Sequence, residues 1–114
     1  MITFSCKKIK EEELIRCSFG LNKTSYNLFM FLLKEKGKWS VSSIAEKMSL
    51  ERTTIQKAIK SLLEKNLVKR MQRNLENGGY IFLYEINEKE EIKKRMKTIV
   101  REWYKSVEEA IEKL

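Results

Sequence analysis

Residues 41–60 read VSSIAEKMSLERTTIQKAIK, and the spacing of their apolar side chains decides how the rest of the chain is read. Ala45 is small enough to let two helices approach. Ile44, Met48, Leu50, Ile55 and Ala58 surround it at the separations expected of two helices joined by a turn of about three to four residues. Ser43 and Glu46 have the spacing of a capping box, so the first helix is expected over about 44–48, with a break at Ser49-Leu50. The second helix is expected over about 51–66, with Ile55, Ala58, Ile59, Leu62 and Leu63 as its buried stripe and Asn66 as its stop. This is a helix-turn-helix pattern.

With that stripe facing a core, the helical wheel turns Arg52, Thr53, Gln56, Lys57 and Lys60 outward. Amide, hydroxyl and guanidinium groups on an exposed helix can hydrogen-bond to base edges in a major groove, while the cations neutralise flanking phosphates. Ser43, at the cap of the helix before, joins them as a candidate contact. Residues 51–73 hold seven cations and two acids, which is +5 of the chain's net +8. The expected partner is double-stranded DNA.

Toward the N-terminus, Asn22 is a good N-cap for a helix over Lys23–Lys36, in which Tyr26, Phe29, Met30 and Leu33 recur at i, i+3, i+4, i+7. Gly37 is expected to close it in a left-handed turn. Trp39–Val41 is long enough only for a small strand, and Lys8–Cys17 predicts a short first helix that ends before Gly20. Toward the C-terminus, Leu67–Arg73 and Tyr80–Ile86 are rich in β-branched and aromatic residues and flank a loop containing Gly78-Gly79. They predict a hairpin, or wing. Lys69, Arg70 and Arg73 precede its loop and Asn77 lies at its tip; Arg70, Arg73 and Asn77 are the candidate contacts to a DNA backbone or minor groove.

From Glu88 a helical pattern runs to Leu114, with Ile92, Met96, Ile99, Trp103, Val107, Ala110 and Leu114 on one stripe and charges such as Lys93, Arg101, Glu108 and Lys113 elsewhere. The steps are 4, 3, 4, 4, 3, 4, near the heptad type. A helix this long outreaches a small body, so the stripe is expected to pair with a second copy, giving a homodimer.

Composition narrows the alternatives. The chain's 114 residues, 42% of them apolar, suffice for one core without metal or disulfide staples. Histidine is absent, which removes the usual general base and the commonest zinc ligand, and there is no GxxxxGK[ST] or GxGxxG. No catalytic residue, metal or cofactor is expected, and the chain does not read as an enzyme. Cys6 and Cys17 are in no CxxC pair; they read as plain thiols, with a redox switch as the sharper alternative. The first ten residues carry no apolar run of signal-sequence length and nothing approaches a membrane span, so a cytoplasmic protein is expected.

Taken in order, Asn22-x-x-x-Tyr26, the Ser43-Ile-Ala-Glu-Lys-Met48 segment, Thr53-Thr-Ile55, Leu63-x-x-Asn66-Leu-Val68, the Gly78-Gly-Tyr80 hairpin and a long final helix resemble the MarR and TrmB groups of regulators. The resemblance covers about residues 20–114. It implies a winged-helix dimer that binds an operator, and repression by blocking polymerase is the expected mode. Many members take a small-molecule effector, a partner for which no residue here argues.

The expected architecture is therefore α+β, mostly α: a single winged helix-turn-helix domain over 1–114, with a DNA-binding core at 20–86, a two-stranded wing, and a C-terminal dimerisation helix at 88–114. The rival reading is a winged-helix module for protein or RNA interaction without operator specificity, because fold alone does not dictate function.

Overall fold

The computed structural model describes residues 2–114. Among them lie five helices and two small antiparallel sheets: β1 (Ile2–Thr3), β2 (Lys8–Ile9), α1 (Glu11–Phe19), α2 (Lys23–Lys34), α3 (Val41–Met48), α4 (Arg52–Glu64), β3 (Val68–Asn74), β4 (Tyr80–Ile86) and α5 (Lys89–Glu112). The order helix, helix-turn-helix, two-stranded wing, long helix is a winged helix-turn-helix, as the spacing in 41–60 predicts. Contacts group the chain into two compact units, one spanning 21–87 and the other combining the segments up to Gly20 and from Glu88.

In the unit 21–87, α2 and α3 both pack against α4, and β3 and β4 close against the helices. Leu28, Phe29, Leu32, Ile44, Ile55, Ile59, Leu62 and Leu67 are buried. Asn22 caps α2, its side chain accepting from the Ser25 backbone N–H at 2.8 Å. The face that α2 buries is Ser25, Leu28, Phe29 and Leu32, one residue behind the expected Tyr26, Phe29, Met30 and Leu33; Met30 is exposed. The sequence fits both sets because residues 28–33, LFMFLL, are apolar on every side of the helix, and only packing chooses among them.

The helix-turn-helix starts earlier than its capping-box spacing suggests. Ser40 is the N-cap of α3: its hydroxyl accepts from the Ser43 backbone N–H at 3.1 Å and donates to the Ser43 hydroxyl at 2.9 Å. Ser43 sits inside the helix instead of capping it, because a serine one turn earlier satisfies the first free N–H groups. At the other end Ser49 adopts the left-handed conformation (φ 55°, ψ 44°), and the Leu50 N–H donates to the Ala45 carbonyl at 3.0 Å. Asn66 (φ 55°) ends the second helix in the same manner, with Leu67 donating to Leu62 at 3.0 Å. Both are Schellman-type caps built without glycine.

Two further boundaries differ from expectation. α2 is capped by Glu35, two residues before Gly37, whose φ of 130° lies outside the left-handed helical region. The small strand expected at 39–41 is a single bridge from Trp39 to Tyr84, made by two backbone hydrogen bonds of 2.9 and 2.7 Å. The β4 edge thus has a partner on each side at its base.

In the other unit, Lys8 and Ile9 form a strand with Ile2 and Thr3, where the sequence suggested the start of a helix. α1 begins only at Glu11, after Lys10 turns extended (φ −81°, ψ 158°). Three glutamates in its first turn favour the positive end of the helix dipole. Glu13 reaches Lys7 at 3.3 Å; that contact and a backbone hydrogen bond at Lys10 hold its carboxyl below the ordinary carboxylate range. Gly20, left-handed at φ 65°, ends α1 as the sequence predicts. α1 packs against α5, and Arg95 lies over the Phe19 ring at 5.2 Å. No helix among the described residues is long and apolar enough to cross a membrane.

The left-handed Ser49 costs about 1–2 kcal/mol that glycine would not incur, against roughly 0.5–1 kcal/mol of extra backbone entropy lost by glycine on folding. Ser49→Gly is therefore expected to raise stability by about 0.5–1 kcal/mol. Urea unfolding should show a higher midpoint at an unchanged slope; a lower midpoint would mean that the serine side chain stabilises the turn.

Candidate nucleic-acid interface

α4 buries Ile55, Ala58, Ile59 and Leu62, and its other side is solvent. Arg52, Thr53, Gln56, Lys57 and Lys60 are all exposed on that side. Arg52, Gln56 and Lys60 lie at successive i, i+4 positions, and Thr53 and Lys57 form a second row beside them, so five polar side chains share one helix face. None of the three cations in this set has a carboxylate partner among the described residues. Their N–H groups are therefore available to an outside acceptor. Ser43 is exposed on α3, with its hydroxyl engaged by Ser40.

The wing is a regular seven-residue ladder from Val68↔Ile86 to Asn74↔Tyr80. Its turn is closed by Leu75 N–H donating to the Gly79 carbonyl at 3.0 Å, and Gly78 and Gly79 both have positive φ (89° and 79°), which only glycine adopts freely in succession. Asn77 is exposed in that turn. Because side chains alternate across a strand, the register puts Arg70 and Arg73 on opposite faces of the ribbon. Lys69, on the Arg73 face, is paired with Glu85 at 3.4 Å. On the Arg70 face the guanidinium lies 4.3 Å from the centre of the Phe82 ring, and Tyr80 meets Phe82 edge-on at 5.3 Å. From the sequence alone Phe82 reads as a strand former, and Tyr80 as a strand former and part of the Gly78-Gly-Tyr80 hairpin. Their place beside Arg70 follows from period-two alternation once the five-residue loop 75–79 sets the register.

The unit 21–87 holds twelve Lys or Arg against six acidic residues, a net +6 of the chain's +8. The charge is thus concentrated on the unit that presents α4 and the wing, as a polyanion-binding surface requires.

The expected dimerisation stripe divides. Ile92 is buried within the chain, and Met96, Ile99 and Val107 are half-buried. Trp103, Ala110 and Leu114 are exposed, Trp103 with Phe4 edge-on at 6.5 Å. Val100, Tyr104 and Ile111, absent from the expected stripe, are exposed as well. Val100, Tyr104, Val107, Ile111 and Leu114 follow steps of 4, 3, 4, 3, a stricter heptad than the expected one and readable from the sequence.

The family model for sugar-specific transcriptional regulators of the TrmB type matches residues 15–99. Two uncharacterized proteins of Methanocaldococcus jannaschii are similar. One is 34% identical over 103 residues, covering 90% of this chain and 77% of that protein; the other is 35% identical over 101 residues, covering 89% and 82%. Among solved structures, a possible transcriptional regulator from Methanosarcina mazei Go1 superposes with a TM-score of 0.90 at 31% identity, covering 99% of this chain and 95% of that one. A Sulfolobus tokodaii protein, at 18% identity and a TM-score of 0.70, covers 85% and 94% and shares the fold. With the helix-turn-helix, the wing and a family match across three quarters of its length, the chain belongs to the TrmB family of transcriptional regulators.

Proposed function

We propose that this chain is a sequence-specific double-stranded DNA-binding regulator that acts in the cytoplasm as a homodimer, and that it represses by occupying its operator. The observation that carries the reading is the row of Arg52, Thr53, Gln56, Lys57 and Lys60, exposed on α4 opposite four buried apolar residues. A helix held by its own core on one side and bearing donors and cations on the other is what a major groove accepts. Gln56 is assigned to base edges, and Arg52, Lys57 and Lys60 to bases or the phosphates beside them. Ser43 and Thr53 supply hydroxyl contacts, and Arg70, Arg73 and Asn77 of the wing engage the flanking backbone. Membership of a transcriptional regulator family supports the reading.

Dimerisation is assigned to α5. Its exposed apolar residues make a face that soluble monomers usually cover. Its charge is also asymmetric: 93–101 contains five cations and no acid, while 102–114 contains four acids and two cations. Two copies related by a two-fold axis crossing near Trp103-Tyr104 run antiparallel there, which lays the cationic half of each against the acidic half of the other. A parallel pair would set like charges together. The remaining members of the stripe (Met96, Ile99, Val107, Ala110 and Leu114) then border the seam, and Ile92 serves its own chain.

Gln56→Ala is expected to reduce the preference for operator over random duplex by roughly 1–3 kcal/mol, whereas Lys60→Ala should weaken all duplexes alike and lower the salt slope by about one unit. Fluorescence anisotropy at several salt concentrations reads both. Unchanged affinities in both variants would remove α4 from the groove.

Sedimentation of the wild-type chain should give a dimer at micromolar concentration, and Tyr104→Lys with Ile111→Lys a folded monomer with much weaker operator binding. A palindromic operator with half-site centres about 34 Å apart is the matching expectation for the DNA. A wild-type monomer at that concentration would overturn the assignment of α5.

A further inference from the structure

On the wing, Arg70 has its head group held in place by a ring and not by an ion pair. Its guanidinium lies over the Phe82 ring at 4.3 Å, and Phe82 is itself half-buried and braced edge-on by Tyr80 at 5.3 Å. The register makes this contact diagonal across the ladder, since Arg70 stands opposite Tyr84 and Phe82 opposite Gln72. Diagonal neighbours on one face are about 7–8 Å apart at the backbone, within reach of a long side chain lying along the ribbon. No carboxylate pairs with Arg70 among the described residues. On the opposite face Lys69 is partly neutralised by Glu85, and Arg73 has no ring beneath it among the described residues.

A guanidinium stacked on a ring keeps its N–H donors in its own plane, pointing past the ring edge. Stacking therefore leaves the fork free to bind an oxyanion bidentately, while removing much of the rotamer freedom that an exposed arginine loses on binding. A phosphate of a duplex backbone matches that fork.

We propose that Phe82, braced by Tyr80, is a positioning residue that holds the Arg70 guanidinium ready for a backbone phosphate of duplex DNA, so that the wing's contribution to binding comes mainly from the Arg70 face. This rests on the DNA-binding reading above. It adds that two aromatic residues, not charge alone, set how strongly the wing binds.

A double-mutant cycle tests it on the full-length protein with a duplex of fixed sequence. Phe82→Leu keeps an apolar side chain and is expected to weaken binding about two- to fivefold, the usual worth of an exposed cation–π contact, with the salt slope unchanged because the charge remains. Arg70→Ala should weaken binding at least as much and lower the slope by about one unit. Adding Phe82→Leu to Arg70→Ala should cost nothing more, and Phe82→Tyr should bind like wild type. A purely structural role for Phe82 would make the two losses multiply, and that result overturns the proposal.

The stack is also tested without DNA. In the free wild-type protein, ring currents should shift the Arg70 Hδ resonances upfield, Phe82→Tyr should retain the shift, and Phe82→Leu should abolish it. Unshifted resonances in the wild type overturn the positioning role even if the protein binds DNA. Conversely, a wild-type protein that binds no duplex overturns the DNA-binding reading and the phosphate partner together, while the resonances still report on the stack. The two failures are thereby distinguishable.

Discussion

Ile55, Ala58, Ile59 and Leu62 occupy one side of α4, and α2, α3 and β3 each pack against that helix. A helix used by three neighbours has no freedom to roll, because any rotation would bring Gln56 or Lys57 into the core and expose Ile55 or Ile59. Burying a charged or amide group without partners costs several kcal/mol, more than a marginally stable domain can spare. The direction in which Arg52, Gln56 and Lys60 point is therefore a consequence of the core.

The same logic explains the two left-handed residues. Ser49 ends α3 and Asn66 ends α4, each turning the chain so that the next apolar residue or strand returns to the core. Asn87 completes the unit, its side chain donating to the Asn66 carbonyl at 2.6 Å and its backbone N–H to the Leu67 carbonyl at 3.0 Å. The hairpin between them is anchored at its base, where Val68, Leu83 and Tyr84 are buried, and is exposed toward its tip. A ribbon fixed at one end presents its outer residues at defined positions and still lets the tip adjust.

Polar character is distributed according to these anchors. The unit with α4 and the wing carries most of the net positive charge, whereas α5 is nearly balanced overall and divided by sign along its length. Long cations in the wing differ in how they are held: Lys69 by an ion pair, Arg70 by a ring. An ion pair spends the charge internally. A stack leaves the donors unspent.

By itself the sequence determined what local spacing and caps can specify. Ile55, Ala58, Ile59 and Leu62 have one arrangement on a helix, so the outward set on α4 is read without tertiary information. Asn22 as a cap, Gly20 as a stop and Gly78-Gly79 as a turn follow from backbone chemistry that few other residues offer. Tertiary structure decided what local spacing leaves degenerate. Residues 28–33 of α2 are apolar on every side of the helix, and only its neighbours select Leu28 and Leu32 over Met30 and Leu33. Ser40 and Ser43 both precede an apolar run, and competition for the same N–H groups selects Ser40. Lys8 and Ile9 are short of any period, so pairing with Ile2 and Thr3 makes them a strand. Arg70 and Arg73 look equivalent in a list of cations, but the pleat of the ribbon separates them, and a ring twelve positions along the chain gives Arg70 a fixed place.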